Sequence, residues 1–410
     1  MRSLVQLTIL CALLARFYGP VTHYFTVLGA FRAPNHAVRL ATTPSFVKIE
    51  DTVQCEDMHY YPPTRKIFTA CEDSFASRFQ WFPALGHFDG PGDSVGSLHV
   101  IDPQNFEGPF VTHGIDVIED PDRSGAVYIF AVNHLRNPEY DETGTNAQDV
   151  FKARSQIELF HHILGTSTAT HVRSVRHPLI TTPNDIYAKS PSSFYATNDH
   201  FYRHGLKRHI EDAYPWAKWT NVVHVRLDQL KSAASPEAGI NATVALSGIK
   251  NSNGIGHGQD GEEILLCNAI GGIMYRARAD GETSSISILD EIRFDSTIDN
   301  PSYFADPYRT VSDDASGYVQ AGLLKAMNLS QSHGDPSAKD GVTVWYTRRK
   351  AAADGVMSAE WETRQIFEDD GSNIHTASSA LLVPVESPKK ARLFVTGFSS
   401  ESVVAVDVDL

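Results

Sequence analysis

Basic clusters, cysteine, long helical patterns and long apolar runs are all scarce in this 410-residue chain. Lys and Arg number 35 against 49 Asp and Glu, a formal net charge of −14. No basic stretch stands out against that field, so a nucleic-acid backbone is not an expected partner. The four cysteines, Cys11, Cys55, Cys71 and Cys267, are too few for a disulfide scaffold and show no CxxC spacing for zinc. Cys55 and Cys71 flank one apparent hairpin, where a disulfide and two free thiols are both open readings. A serine nucleophile elbow is not expected, and Gly254-Ile255-Gly256-His257-Gly258 reads as a turn between strands rather than a phosphate cradle opening a helix. What the chain does have is 42% hydrophobic residues, enough for a large core and incompatible with wholesale disorder.

One apolar run, Leu4 to Ala15, follows Met1-Arg2 and has the character of a secretory signal. It falls short of the ~20 residues that a bilayer-spanning helix needs. No small-x-small cleavage site follows, since the chain continues Arg16-Phe17-Tyr18, so removal and retention as an anchor lying on a membrane both stay open. Residues 1–25 are therefore expected to be a signal or anchor segment, residues 40–410 the folded unit, and the destination secretion or membrane attachment through the secretory pathway. The sequons Asn241-Ala242-Thr243 and Asn328-Leu329-Ser330 agree with that route as glycosylation sites.

A pair of β-type runs recurs six times. The first runs begin near Ile67, Val127, Phe194, Ile264, Val319 and Phe394, at intervals of 55 to 75 residues. A quasi-regular period of paired strands is the signature of a β-propeller, with blades larger here than the ~40–45 residues of the WD type. The expectation is an all-β, six-bladed β-propeller with a central tunnel.

Polar residues precede each copy: Glu56-Asp57, His113-Gly114-Ile115-Asp116, Asn184-Asp185, Asn251-Ser252-Asn253 and Asp299-Asn300, with only Ser378-Ser379 in the sixth. Singly, an Asn or Asp in such a place is most often a turn former. At equivalent blade positions they would meet at the axis, where crowded carboxylates and amides require a cation. Oxygen donors without thiolate select calcium over zinc.

The stretches His113-Gly114-Ile115, Ala131-Val132-Asn133-His134, Ile157-Glu158-Leu159-Phe160, Val175-Arg176-His177, Pro183-Asn184-Asp185-Ile186 and Phe194-Tyr195-Ala196-Thr197-Asn198-Asp199-His200 resemble the serum paraoxonase/arylesterase family of calcium-dependent lactonases. Asn253-Gly254-Ile255 and Ile298-Asp299-Asn300 extend the resemblance over most of the chain. It implies two calcium ions in the tunnel. The catalytic ion would be held by Glu56, Asn184, Asn253, Asp299 and Asn300; the structural ion by Asp57, Asp185 and the carbonyl of Ile115. It also implies a histidine dyad, His113 and His134. Two departures stand out. No cysteine follows Cys267 to join the termini, so ring closure would rest on pairing, with Phe46-Val47-Lys48-Ile49 beside the last blade as the candidate strand. The active-site histidine of the animal members' fifth blade has no counterpart between Gly317 and Met327.

The implied activity is hydrolysis of small-molecule lactones and aryl esters, calcium polarising the carbonyl, His113 taking a proton from water and His134 orienting it. Asp199 and His200 are candidates for a supporting shell. Two competing readings are a non-enzymatic, calcium-stabilised propeller that binds a partner, and an enzyme whose chief substrates are organophosphates. Peripheral lipid contact through the N-terminal segment completes the expectations.

Overall fold

The computed structural model describes residues 16–32, 46–98, 102–141, 150–231, 235–311, 313–351 and 357–410. Among them are five sheets of four or five strands. The first holds β7 (Thr112–Glu119), β8 (Ala126–Arg136), β9 (Ala153–Ile163) and β10 (Thr168–Val175), edged by β6 (Asp102–Gln104). The second runs β11 (Pro183–Ser190), β12 (Ser193–Asn198), β13 (Thr220–Leu227) and β14 (Ile240–Ile249). The third runs β15 (Ser252–His257), β16 (Glu263–Asn268), β17 (Ile273–Ala279) and β18 (Ile286–Arg293). The fourth runs β19 (Pro301–Phe304), β20 (Gly317–Leu323), β21 (Val342–Ala351) and β22 (Met357–Asp369). The fifth, β23 (Ala377–Pro384), β24 (Lys390–Gly397) and β25 (Val403–Asp409), is completed by β1 (Val47–Ile49). That last pairing sets Lys48 against Val404 and closes the ring with the strand that the sequence offered for it.

This is an all-β propeller, but the described residues form five complete blades rather than the six expected. In place of the first expected blade is a two-stranded hairpin, β2 (Asp57–Tyr61) and β3 (Lys66–Ala70), with β2 lying between β7 and β23. The run Ser97–Leu98 forms no strand beside the hairpin: Ser97 bridges to Cys71 and Leu98 packs in one cluster with Tyr61, Phe68 and Ala70, while residues 99–101 lie outside the described residues. Cys55 and Cys71 are joined by a disulfide across the base of this hairpin. A large apolar cluster fills most gaps between neighbouring sheets; Phe130, Ile157, Phe194 and Val223, for example, seal the first against the second. A sheet buried on both faces in this way exposes little but its edges.

The runs with the clearest apolar alternation are not the innermost strands. Those around Val127, Phe194, Ile264, Val319 and Phe394 are β8, β12, β16, β20 and β24, each second in its sheet. The strands at the axis are β7, β11, β15, β19 and β23, which carry the polar clusters or follow directly on them. They escaped the periodicity because buried polar residues replace the apolar half of the pattern. In four of them the ladder slips at the same place, between Thr112 and Ile115, Pro183 and Ile186, Ser252 and Ile255, and Ala377 and Ala380. Such a bulge frees two residues from pairing and redirects their side chains. His113, Asn184, Asn253 and Ser378 all fall within these bulges.

Helical pieces cap one end of the ring: α1 (residues 16–27), α2 (Ser77–Gln80), α3 (Leu206–Ala213) and α4 (Leu329–Ser332). Of the expected signal or anchor segment, residues 1–15 lie outside the described residues. Residues 16–25 belong to α1, where His23 Nε2 meets the Gly271 carbonyl at 3.1 Å and the Tyr24 hydroxyl donates to Asp212 O at 2.7 Å. No helix among the described residues is long and apolar enough to cross a membrane.

Candidate active site

Glu56 stands just before β2, Asn184 on β11, Asn253 on β15, and Asp299 and Asn300 just before β19. Asn300 Nδ2 donates to Glu56 Oε1 at 3.1 Å. Asn184 Nδ2 is 3.3 Å from His113 Nε2, which is itself 3.7 Å from Glu56 Oε1. Gly254 lets the bulge beside Asn253 close on its neighbour, since a Cβ there would lie 2.6 Å from Asn300 Oδ1. Each of these five residues also keeps one buried oxygen without a hydrogen-bond partner: Glu56 Oε2, Asn184 Oδ1, Asn253 Oδ1, Asp299 Oδ1 and Asn300 Oδ1. One orphaned buried acceptor costs roughly 1–3 kcal/mol, so five on converging residues call for a common partner. No group of three or more His, Cys, Asp and Glu side chains among the described residues is placed to hold a metal. The set here is instead two carboxylates with three amides, a composition that fits calcium and not zinc.

Asp57 and Asp185, the residues that follow Glu56 and Asn184, are buried as well and bond to the backbone of neighbouring strands. Asp57 Oδ2 accepts from Ile115 N at 2.9 Å, and Asp185 Oδ2 from Ile255 N at 2.8 Å. Gly114 permits this approach: a Cβ would sit 2.3 Å from Asp185 Oδ1. Burial pushes the carboxyls of Glu56, Asp57, Asp185 and Asp299 above their ordinary values, and neighbouring carboxylates push Glu56, Asp185 and Asp299 further. Four crowded acids resist ionising together unless positive charge is supplied. Asp116, the remaining acid of the polar clusters, is ion-paired: it receives His257 Nε2 at 2.8 Å and His59 Nδ1 at 3.1 Å.

His113 Nδ1 and His134 Nε2 are 2.9 Å apart, and His134 Nδ1 is 2.8 Å from Ser155 Oγ. His134 sits on the second strand of its sheet rather than the innermost, and reaches inward from its end. Burial lowers both imidazoles, His134 to about 3 and His113 well below its usual value, so both are neutral near pH 7. With Asn184 Nδ2 donating to His113 Nε2, the chain of donors runs from His113 Nδ1 to His134 Nε2 and from His134 Nδ1 to Ser155. That leaves the basic lone pair of His113 facing Asn184 and Glu56. Phe82 packs edge-on against His113 at 4.9 Å, and Trp81 Nε1 donates to the His134 carbonyl at 2.7 Å. Asp199 pairs with His200 Nδ1 at 3.0 Å, and its charge acts on both dyad members, which favours the supporting role.

Ser155, Trp81 and Phe82 were not anticipated. Ser155 could have been found by continuing the strand around Ile157 two residues back, since it faces His134 in the β8–β9 register. A G-x-S-x-G pattern does occur at Gly92-Asp93-Ser94-Val95-Gly96, but it makes no elbow. Ser94 Oγ donates to Glu72 Oε2 at 2.5 Å, and no histidine among the described residues bonds it. Past Met327, His333 Nδ1 meets His87 Nε2 at 2.8 Å. Asn241 and Asn328 are both exposed.

Residues 106–308 match the family model described as Arylesterase. Serum paraoxonase/arylesterase 2 of Gallus gallus is 29% identical over 163 residues, 40% of this chain and 37% of that protein. The bovine (Bos taurus) serum paraoxonase/arylesterase 2 is 27% identical over 191 residues, 47% of this chain and 45% of its own. Serum paraoxonase/arylesterase 1 of Mus musculus is 27% identical over 315 residues, 73% of this chain and 76% of that protein. The first two matches thus span less than half of those relatives' length. Together the family match and these relatives mark the chain as similar to the serum paraoxonase/arylesterase family.

Proposed function

We propose that this protein is a calcium-dependent hydrolase of lactones and aryl esters, built on a ring of six units in which the β2–β3 hairpin is a reduced first blade. The observation that carries the reading is the set of five unpartnered buried oxygens beside a neutral histidine pair. Glu56, Asn184, Asn253, Asp299 and Asn300 would hold the catalytic ion; Asp57, Asp185 and the Ile115 carbonyl the structural one. When bound, calcium supplies a Lewis acid for the ester carbonyl and positive charge for the developing oxyanion. The chain's own residues do the rest. His113 Nε2 accepts the proton of the attacking water, His134 receives the Nδ1 proton of His113 in a hydrogen bond, and Ser155 fixes the His134 tautomer. Phe82 and Trp81 exclude bulk water from the pair.

Passage through the secretory pathway agrees with the Cys55–Cys71 disulfide, the exposed sequons and the serum origin in the relatives' names. Peripheral lipid contact would use the capped end, where Phe17, Tyr18, Trp216 and Trp219 are exposed.

The test is a panel of γ- and δ-lactones, phenyl acetate and a phosphate triester, assayed with calcium and then with EGTA. Calcium-dependent opening of lactones and cleavage of phenyl acetate is the expected result. Calcium binding with no turnover of any ester would leave a binding propeller, and turnover of the triester alone would reassign the substrate class.

A further inference from the structure

Behind the dyad lies a recess that the ester chemistry above does not use. His134 and Ser155 form one wall, and Asp199, Arg203, His204 and Arg208 much of the other. It offers about 20 Å³, somewhat more than one water needs by that measure, so it suits one polar end of a molecule rather than a whole substrate. The cations come from Arg203-His204-Gly205-Leu206-Lys207-Arg208-His209, a run with no acidic residue that leads into α3.

How each charge is met decides the case. Arg208 spends its donors on neutral carbonyls: Nη1 on Pro83 O at 3.1 Å and Arg203 O at 3.3 Å, and Nη2 on Ala84 O. The Arg203 guanidinium lies over the Phe151 ring at 3.9 Å and makes no ion pair with a carboxylate among the described residues. His204 Nδ1 is buried without a hydrogen-bond partner, its ring edge-on to Phe88 and Phe151. Burial holds the His204 imidazole below its ordinary value, with Lys152, Arg203 and Arg208 adding to the effect. Asp199, the carboxylate on the wall, is already engaged by His200. The first turn of α3 holds no acid, so Lys207 and Arg208 add positive charge at the positive end of the helix dipole. Arg208 has the charges of Asp199 and Asp212 near it, whereas Arg203 meets no carboxylate among the described residues; a buried cation without counter-charge is costly, and an anion brought by a ligand removes that cost.

We propose that this recess binds the carboxylate of an anionic ester or lactone, with Arg203 and His204 as its specificity-determining residues. The inference rests on the hydrolase reading and narrows its substrate class. A carboxylate would receive Arg203 through a charge-assisted contact and a hydrogen bond from His204 Nδ1, while the ester group sits on the far side of His134.

The test compares 3- and 4-acetoxybenzoate with the matching acetoxybenzamides, which are similar in shape but uncharged, by rate of phenol release, each rate divided by that ester's uncatalysed hydrolysis because the carboxamide also activates the leaving phenol. The expected kcat/KM ratio favours the benzoates by about tenfold or more, as one charge-assisted contact allows, and it shrinks as salt rises. Arg203→Gln and His204→Gln should bring the ratio near one by raising KM for the benzoates, and Arg203→Lys should restore part of it. Turnover of all four esters with no charge preference would overturn the subsite and leave the hydrolase standing. If no ester is cleaved, the hydrolase reading falls, and calorimetry with 4-hydroxybenzoate decides the recess alone: binding lost in Arg203→Gln supports it, and no binding to the unmodified protein overturns it.

Discussion

Single residues carry the chemistry, and their legibility differed with their surroundings. Glu56, Asn184, Asn253, Asp299 and Asn300 stood out because polar side chains interrupt strands that are otherwise apolar, and the structure brings them to one place. Ser155 stayed hidden because the polar stretch Ala153-Arg154-Ser155-Gln156 carries no strand signal; only the cross-strand register sets it against His134. If His113 is the base, His113→Gln should lower turnover of phenyl acetate by roughly 100-fold while calcium affinity, measured by titration, stays close to that of the parent. Equal loss of both would make its role structural. The same assignment fixes the pH profile. A base must be unprotonated to act, and burial holds His113 below its ordinary value. At saturating calcium the acid limb of kcat/KM should therefore lie below about pH 6.5, the unperturbed histidine value; a limb at or above that pH would contradict it.

Among the elements, the second and third strands of most sheets were legible because apolar β-type residues, alternating or in near-continuous runs, mark strands buried on one face or on both. The innermost strands were not, because bulges and buried polar groups erase the period where β7, β11, β15 and β23 meet the axis. The hairpin β2–β3 lost its expected outer strands, and Cys55–Cys71 fastens it instead. The bond closes a loop of 16 residues, a length for which about 3 kcal/mol of stabilisation is typical. Because Cys55 precedes Glu56, Cys55→Ser should lower both the melting temperature, by several degrees, and calcium affinity. Thermal melting and calcium titration check this, and no change in either would show that the hairpin holds Glu56 without the crosslink.

For the whole molecule, the propeller class and its closure by β1 against β25 were readable from period and strand character, whereas the docking of α1 onto the ring was not. An apolar, aromatic segment has the same composition whether it meets lipid or protein. The buried acids tie the fold to its ions. Burial and mutual repulsion raise Glu56 to about 8, and burial raises Asp57 to about 6, from ordinary carboxylate values. A raised acid stabilises the fold below its unfolded pKa, near 4, and that stability is lost as pH climbs through the folded values. Without calcium the melting temperature should therefore fall from about pH 4 to pH 8, and calcium should restore most at the upper end; a calcium-free protein equally stable at both would contradict the crowding of acids. The most direct measurement is the number of calcium ions retained per chain after equilibrium dialysis. Two are expected in the native protein and one in Glu56→Gln/Asp299→Asn, with ester turnover lost alongside the missing ion; no bound calcium in the native protein would contradict a metal-centred site.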